Sequence, residues 1–166
     1  MRDQAWTFMD KTAYGDGPWS AEPDKLQWTD PATGLPCLIV RNALTGNLCG
    51  YVGVPPGHPA YRQQYEDVDA SAHGGLSFSD SCQTGNAEHG ICHVVEPGEP
   101  DQVWWLGFDC AHAFDVMPAL NARIRAEERR LNVPLPHWLP ADTYKNVAYV
   151  RAECTSLAAQ LAAMAA

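Results

Sequence analysis

Asp109, His112 and Asp115 follow one another three residues apart at the end of an apolar run, WWLGFDCAHAFD (residues 104–115). Carboxylates and imidazoles both ligate divalent metals, and a hydrolytic metal site keeps one position open for water. On an extended strand, Trp105, Gly107 and Asp109 share one face. If the chain turns helical after Phe108, then Asp109, His112 and Asp115 stack along one side. Without a metal, His112 could act as a general base oriented by Asp109 or Asp115. A plainer reading has Asp109 capping a helix and His112 half-buried and satisfied. The D-x-x-H-x-x-D spacing does not choose between these readings.

A second histidine sits in SAHGGL (residues 71–76). Gly74 and Gly75 allow a sharp turn or a close backbone approach. His73 is therefore expected at a strand rim, either as a plain surface histidine or as a partner of Asp109 and His112 in one pocket. The joint reading assigns His73, His112 and Asp109 to catalysis, and His73, Asp109, His112 and Asp115 to a divalent metal. His58 in PPGHP and Asp67 in YEDVD are further candidates to line that pocket, although an acidic run of this kind is more often a solvated loop.

Cys82, His89, Cys92 and His93 follow the pattern C-x6-H-x2-C-H. These ligand types suit zinc. The spacing matches no familiar finger, and adjacent Cys92 and His93 do not both face one ion from a regular strand. One buried thiol and a polar loop is the default expectation there. Cys110 has the chemistry of a nucleophile, but strand alternation sends it to the apolar side, away from Asp109. The chain contains no G-x-S-x-G, P-loop, dinucleotide fingerprint or H-E-x-x-H.

These residues need elements to hold them. Residues 37–41 and 48–54 are apolar, β-type runs around the turn sequence NALTGN, which reads as a hairpin. Residues 73–78 and 91–95 read as further short strands. Residues 103–108 are apolar on both faces and so read as a central strand. The period then changes. Residues 117–131 can be helical, with Pro118 in the first turn, and VPLPHWLP ends that helix. Val147, Val150, Cys154, Leu157, Leu161 and Met164 recur three and four apart, as one stripe of a helix capped by Asp142 or Thr143. Packing of this stripe on the sheet is favoured over a dimer seam. Strands first and helices last predict an α+β fold, with an antiparallel or mixed sheet and C-terminal helices packed on one side. A single domain over 1–166 is expected: an irregular arm at 1–36 with room for one short strand, strands mainly at 37–108, and helices at 116–131 and 143–163.

The 166-residue chain is 46% hydrophobic and carries a formal charge of −9 with only 11 basic residues. That balance argues against binding nucleic-acid phosphate, which needs clustered lysine and arginine. Residues 1–16 carry charges throughout and show no signal-peptide core, and no apolar run approaches the roughly 20 residues a membrane span needs. The expectation is a cytoplasmic protein whose cysteines are buried thiols or ligands rather than disulfides.

The strings GYVGVPPGHP, YEDVD, AHGGLSF, ICHVVEPGEPD, WWLGFDCAHAFD and YKNVAYVRAECTSLAAQL together resemble a group of small proteins of bacteriophages and prophage-bearing bacteria, over about residues 50–161. The resemblance implies a setting, the bacterial host cytoplasm, rather than an activity. Its hallmark strings HGGL and GFD-x-AH fall on His73, Gly74, Gly75 and Leu76, and on Gly107, Phe108, Asp109, Ala111 and His112. This adds weight to His73, Asp109 and His112, and leaves the role of Asp115 looser. The leading expectation is a divalent-metal-dependent hydrolase of a small phosphorylated or nucleotide-like molecule. The rivals are a phage accessory protein that inhibits a host defence factor through an acidic surface such as residues 96–101, and a protein that sequesters a small nucleotide. The expected partner is a small molecule or a host protein, with no membrane or nucleic acid, and the chain is expected as a monomer or homodimer.

Overall fold

The computed structural model describes residues 1, 3–82, 89–98, 101–134 and 143–165. Its strands are β1 (Gln4–Trp6), β2 (Lys25–Thr29), β3 (Pro36–Arg41), β4 (Leu48–Val54), β5 (Phe78–Ser81) and β6 (Trp104–Asp109). They form one sheet in the order β1-β2-β3-β4-β6-β5, antiparallel at every pairing. Two helices follow, α1 (Pro118–Leu131) and α2 (Val147–Met164). This is the α+β fold the sequence predicts.

The β3–β4 hairpin forms where expected. Asn42 Oδ1 accepts hydrogen bonds from the Leu44 and Thr45 amides at 2.9 and 3.3 Å, and Gly46 takes φ +83°. Every residue of β4 is buried. Leu48, Val52 and Val54 join Leu106 and Phe108 in the core beneath α2, while Cys49 and Tyr51 join Trp105 and Leu38 on the opposite face. The α2 stripe supplies Val150, Cys154, Leu157 and Leu161, all fully buried; each such side chain contributes about 1.5–3 kcal/mol. Gly50 is what lets α2 come so close. A Cβ there would lie 2.4 Å from Phe108 Cζ and 2.8 Å from Cys154 Sγ.

Only α2 lies on the sheet. α1 buries just Pro118 and Ala119, and it packs beside the β3–β4 turn, where the Ala119 amide donates to Thr45 O at 3.0 Å. Its polar sequence offers little else to bury. α2 starts at Val147 rather than 143, because Asn146 Oδ1 caps it by accepting from the Tyr149 amide at 2.9 Å. Thr143 instead bridges to Asp115. Asp142 and residues 135–140 lie outside the described residues, as do 99–100 of the acidic turn.

The arm at 1–36 is more regular than the sequence suggests. It holds β1, β2 and two 3-10 turns. β2 escapes an apolar pattern because two of its buried residues are Lys25 and Gln27. β5 begins only at Phe78, since Gly74 and Gly75 take φ of +69° and +97°. Residues 91–95 join no ladder. They are held by side chains: Lys25 Nζ donates to Gly90 O at 2.8 Å and Cys92 O at 2.6 Å, and Gln27 exchanges two hydrogen bonds with the Val94 backbone.

The cysteines divide. Cys37, Cys49, Cys110 and Cys154 are buried thiols, but Cys82 and Cys92 form a disulfide, contrary to expectation. The end of β5 and the 90–94 segment cover the same sheet face, which brings the two Cα atoms to 4.7 Å, within bridging distance. Among the described residues, no helix is long and apolar enough to cross a membrane.

A buried ionic cluster ties the arm to this frame. Asp24 is wholly buried. Its Oδ1 meets Arg41 Nε at 3.0 Å and Lys11 Nζ at 2.9 Å, while Oδ2 accepts from the Phe8 and Met9 amides, both at 2.9 Å. Arg41 also donates to Gly46 O, Tyr144 Oη, Glu22 Oε2 and Pro23 O. Glu22 Oε1 in turn accepts from the Val147 amide at the start of α2, at 2.9 Å.

Removing one partner of a buried ion pair strands the other in a poorly solvated site. Arg41→Leu is therefore expected to cost about 3–5 kcal/mol in urea unfolding; a loss below about 1 kcal/mol would show that the cluster is dispensable. Burial alone would raise the Asp24 carboxyl, but the donors from Met9, Lys11 and Phe8 outweigh it and hold the group below its ordinary 3.8. Its stabilising contribution is then complete above 3.8 and is lost as pH falls through the lower folded value. Unfolding free energy should drop across that acid range, and Asp24→Asn should flatten the slope.

Candidate metal centre

β6 delivers Asp109 to the end of the sheet, and one more backbone bond, Cys110 N to Leu48 O at 3.2 Å, extends its pairing with β4. The chain does not then become helical. Asp109 Oδ1 accepts from the Ala111 amide at 3.0 Å, which folds the backbone into a turn, and Phe114 takes φ +74°. A single turn bond, Asp115 N to His112 O at 3.1 Å, brings His112 and Asp115 together. Asp115 is fixed by its neighbours: Thr143 N donates to Phe114 O at 2.8 Å, and Val116 N donates to Thr143 O at 3.1 Å.

His73 arrives from the glycine turn, closed by Gly75 N to Ala72 O at 2.9 Å. Its Nε2 lies 2.7 Å from Asp115 Oδ2, and its Nδ1 lies 2.9 Å from the Tyr149 hydroxyl on α2. A carboxylate only accepts, so neutral His73 carries its proton on Nε2 and takes the Tyr149 O–H at Nδ1. Burial, with Glu153 nearby, pushes the Tyr149 phenol up and keeps it protonated. Asp115 Oδ2 also accepts from the His112 amide at 3.0 Å.

His112 packs edge-on to His73, with ring centroids 5.4 Å apart. Among the described residues its buried Nδ1 has no hydrogen-bond partner, and it lies 3.6 Å from Asp115 Oδ2. One ligand atom each from His73, His112 and Asp115 lie within 4.8 Å of one another, a group able to hold a metal ion. A recess of about 240 Å³, lined by residues that include His112, Phe114, Asp115 and Asn121, opens beside them.

Three of the four residues assigned to a metal from sequence thus come together. Asp109 stands one step out. Its Oδ1 is 3.9 Å from His112 Nδ1, but its oxygens serve the Ala111 amide and the Ser77 hydroxyl, the latter at 2.9 Å. Asp109 anchors the turn, and Asp115 supplies the carboxylate of the group. His58 and Asp67 are not in the group. His58 Nε2 bonds Leu161 O at 2.9 Å and its Nδ1 accepts from the Ala60 amide, so it fastens the end of α2. Cys110 is buried under α2, and burial raises its thiol so far that it stays neutral. That agrees with the buried reading and leaves no thiolate nucleophile.

Tyr149 and Lys145 escape a sequence reading. Lys145 Nζ lies 3.7 Å from Asp115 Oδ1 and 5.2 Å from the Tyr149 ring centroid. Both residues are remote from His73 in the chain, and neither falls on the α2 apolar stripe that marks the helix. Only the stripe's docking direction could have pointed to Tyr149. No family model matches this chain, and no curated protein or solved structure is significantly similar to it.

Gly74 fixes how tightly the His112 ring can pack. A Cβ there would lie 2.1 Å from His112 Cε1, whereas Gly75 has open space around it. Both glycines have positive φ, which costs an alanine about 1–2 kcal/mol. Gly74→Ala should therefore exceed Gly75→Ala by about 1–3 kcal/mol in thermal or urea unfolding, as overpacking adds to strain. Equal costs would mean that the His112 ring is not seated against the turn.

Proposed function

We propose that His73, His112 and Asp115 bind a divalent cation of the zinc type, and that the protein is a metal-dependent hydrolase acting on a small phosphorylated or nucleotide-like molecule. The observation that carries this reading is the orphaned, buried Nδ1 of His112, beside a buried carboxylate and a second imidazole. An unpaired buried nitrogen costs about 1–3 kcal/mol, which coordination would recover. Two histidines and one carboxylate match the donor set of catalytic zinc sites, which leave a fourth position for water. When bound, such a metal polarises the scissile bond and lowers the pKa of a coordinated water.

The chain's own groups have distinct tasks in this reading. His73 must free Nε2, so its proton moves to Nδ1 and is donated to Tyr149 Oη. A phenol can donate or accept, so Tyr149 supports both tautomers. Partners of this kind set ligand orientation and basicity. The Lys145 ammonium sits at the rim of the carboxylate and favours an anionic substrate. Asp109 holds the turn that carries His112, through its bond from the Ala111 amide.

A metal-free reading is favoured by one observation, the complete hydrogen bonding of His73 between Asp115 and Tyr149. There Asp115 orients His73, whose Nδ1 takes the Tyr149 hydroxyl proton while Tyr149 Oη takes one from the substrate. Calorimetry with zinc separates the two. Wild type should bind one equivalent at this centre. His112→Ala and His73→Ala should weaken binding by about a hundredfold or more, and Tyr149→Phe by about tenfold. Zinc binding that is no tighter in wild type than in folded His112→Ala would remove the metal, and with it the proposed hydrolysis. Binding without turnover of phosphate esters would favour sequestration of the ligand.

A further inference from the structure

We propose that Cys82, Cys92 and His93 form a second, sulfur-rich metal site that exists only when the Cys82–Cys92 disulfide is reduced. This does not rest on the function proposed above. Ligand atoms of the three residues already lie within 4.8 Å of one another, and His93 Nδ1 stands 4.0 Å from Cys82 Sγ. Zinc–sulfur and zinc–nitrogen bonds of about 2.3 and 2.0 Å place tetrahedral ligands roughly 3.5–3.8 Å apart. Opening the disulfide therefore lets the sulfurs relax to coordinating distance without moving His93 far.

The disulfide is not what holds these residues in place. Cys82 directly follows Ser81, which pairs with Trp104 at the edge of the sheet. Cys92 and His93 lie in the segment fastened to β2 by the two Lys25 bonds and by Gln27. The His93 ring is buried and packs edge-on to Trp105, with centroids 5.5 Å apart. The Lys25 ammonium holds the backbone of this segment, 2.6 Å from Cys92 O. A groove of about 300 Å³ between β2, β3 and the start of β6 is also lined by His93.

The chemistry balances. Two external thiols give two electrons and two protons to the disulfide and leave as their own disulfide. Cys82 and Cys92 become thiols, and both lose their protons when a soft divalent cation binds. The oxidised state is then the metal-free one.

Cobalt(II) titration of the full chain tests this, because thiolate coordination produces a sulfur-to-cobalt charge-transfer band that His73, His112 and Asp115 cannot give. After phosphine reduction, wild type should show the band by two equivalents of cobalt, one being left for the His73 group, while unreduced protein shows none. Cys82→Ser and Cys92→Ser should abolish it. His93→Gln should raise the Kd by about tenfold or more, yet re-form the disulfide on oxidation. No band by two equivalents, or unchanged affinity in His93→Gln, overturns the proposal. If reduction unfolds the chain, recovery of the native circular dichroism on adding zinc supports the site, and failure to recover overturns it.

Discussion

The Arg41 guanidinium is the constraint on which the arrangement of this molecule depends. It sits fully inside the protein, where a charge is tolerated only with partners on nearly every donor. Burial opposes its charge, but Tyr144 and Glu22 outweigh burial and raise its pKa. Those partners come from the arm, from the β3–β4 turn and from the chain leading into α2. Glu22 then spends its other oxygen on the first amide of α2. One buried cation thus sets where α2 begins, and two residues later α2 presents Tyr149 to His73. The site inherits its geometry from an ion cluster it never touches.

A second set of constraints acts at the end of β6. Regular pairing stops at Cys110, and the seven-residue path to Val116 is shaped by side chains bonding backbone. Asp109 folds the first turn and Asp115 the second. Asp115 is therefore both a structural clasp and a ligand-capable carboxylate, which explains its burial. His112 pays for this geometry: its ring is pressed between the Gly74 turn and Asp115, and one nitrogen has no protein partner. Leaving such a nitrogen unpaired inside a well-bonded loop is the kind of local cost that functional sites carry.

Apolar periodicity made the hairpin, the central β6 and the stripe of α2 legible, because burial on one face or two leaves a direct trace in residue type. β2 was not legible, since its inward positions include Lys25 and Gln27, whose partners include backbone groups some 65 residues away. The Arg41 cluster is hidden for the same reason. At the site, the local spacing of Asp109, His112 and Asp115 was visible, but which carboxylate faces the imidazoles was not. That depends on a left-handed Phe114 and a bridge to Thr143, neither of which has a sequence signature. His73 could be grouped with them because glycines announce a close approach. Tyr149 could not, because nothing within α2 marks it.

The two metal-capable groups are separated by the same strand that positions them. Cys82 follows the β5 residue paired with Trp104, at the start of β6, whereas the His73 group gathers past Asp109, at its end. At about 3.4 Å per residue, the intervening strand spans roughly 17 Å. That is about twice the Debye length of about 8 Å at physiological salt, so the exposed charges at the two groups are largely screened from one another. Their donors also differ in kind. One offers a carboxylate and imidazoles, which suit a borderline or hard cation, and the other offers two sulfurs, which select a soft one. On the proposed reading, a change of redox state at Cys82 and Cys92 would alter one group and leave the other in place at the far end of β6. The two groups stand apart on a chain of this size because an antiparallel strand has two ends, and here a different loop lies at each.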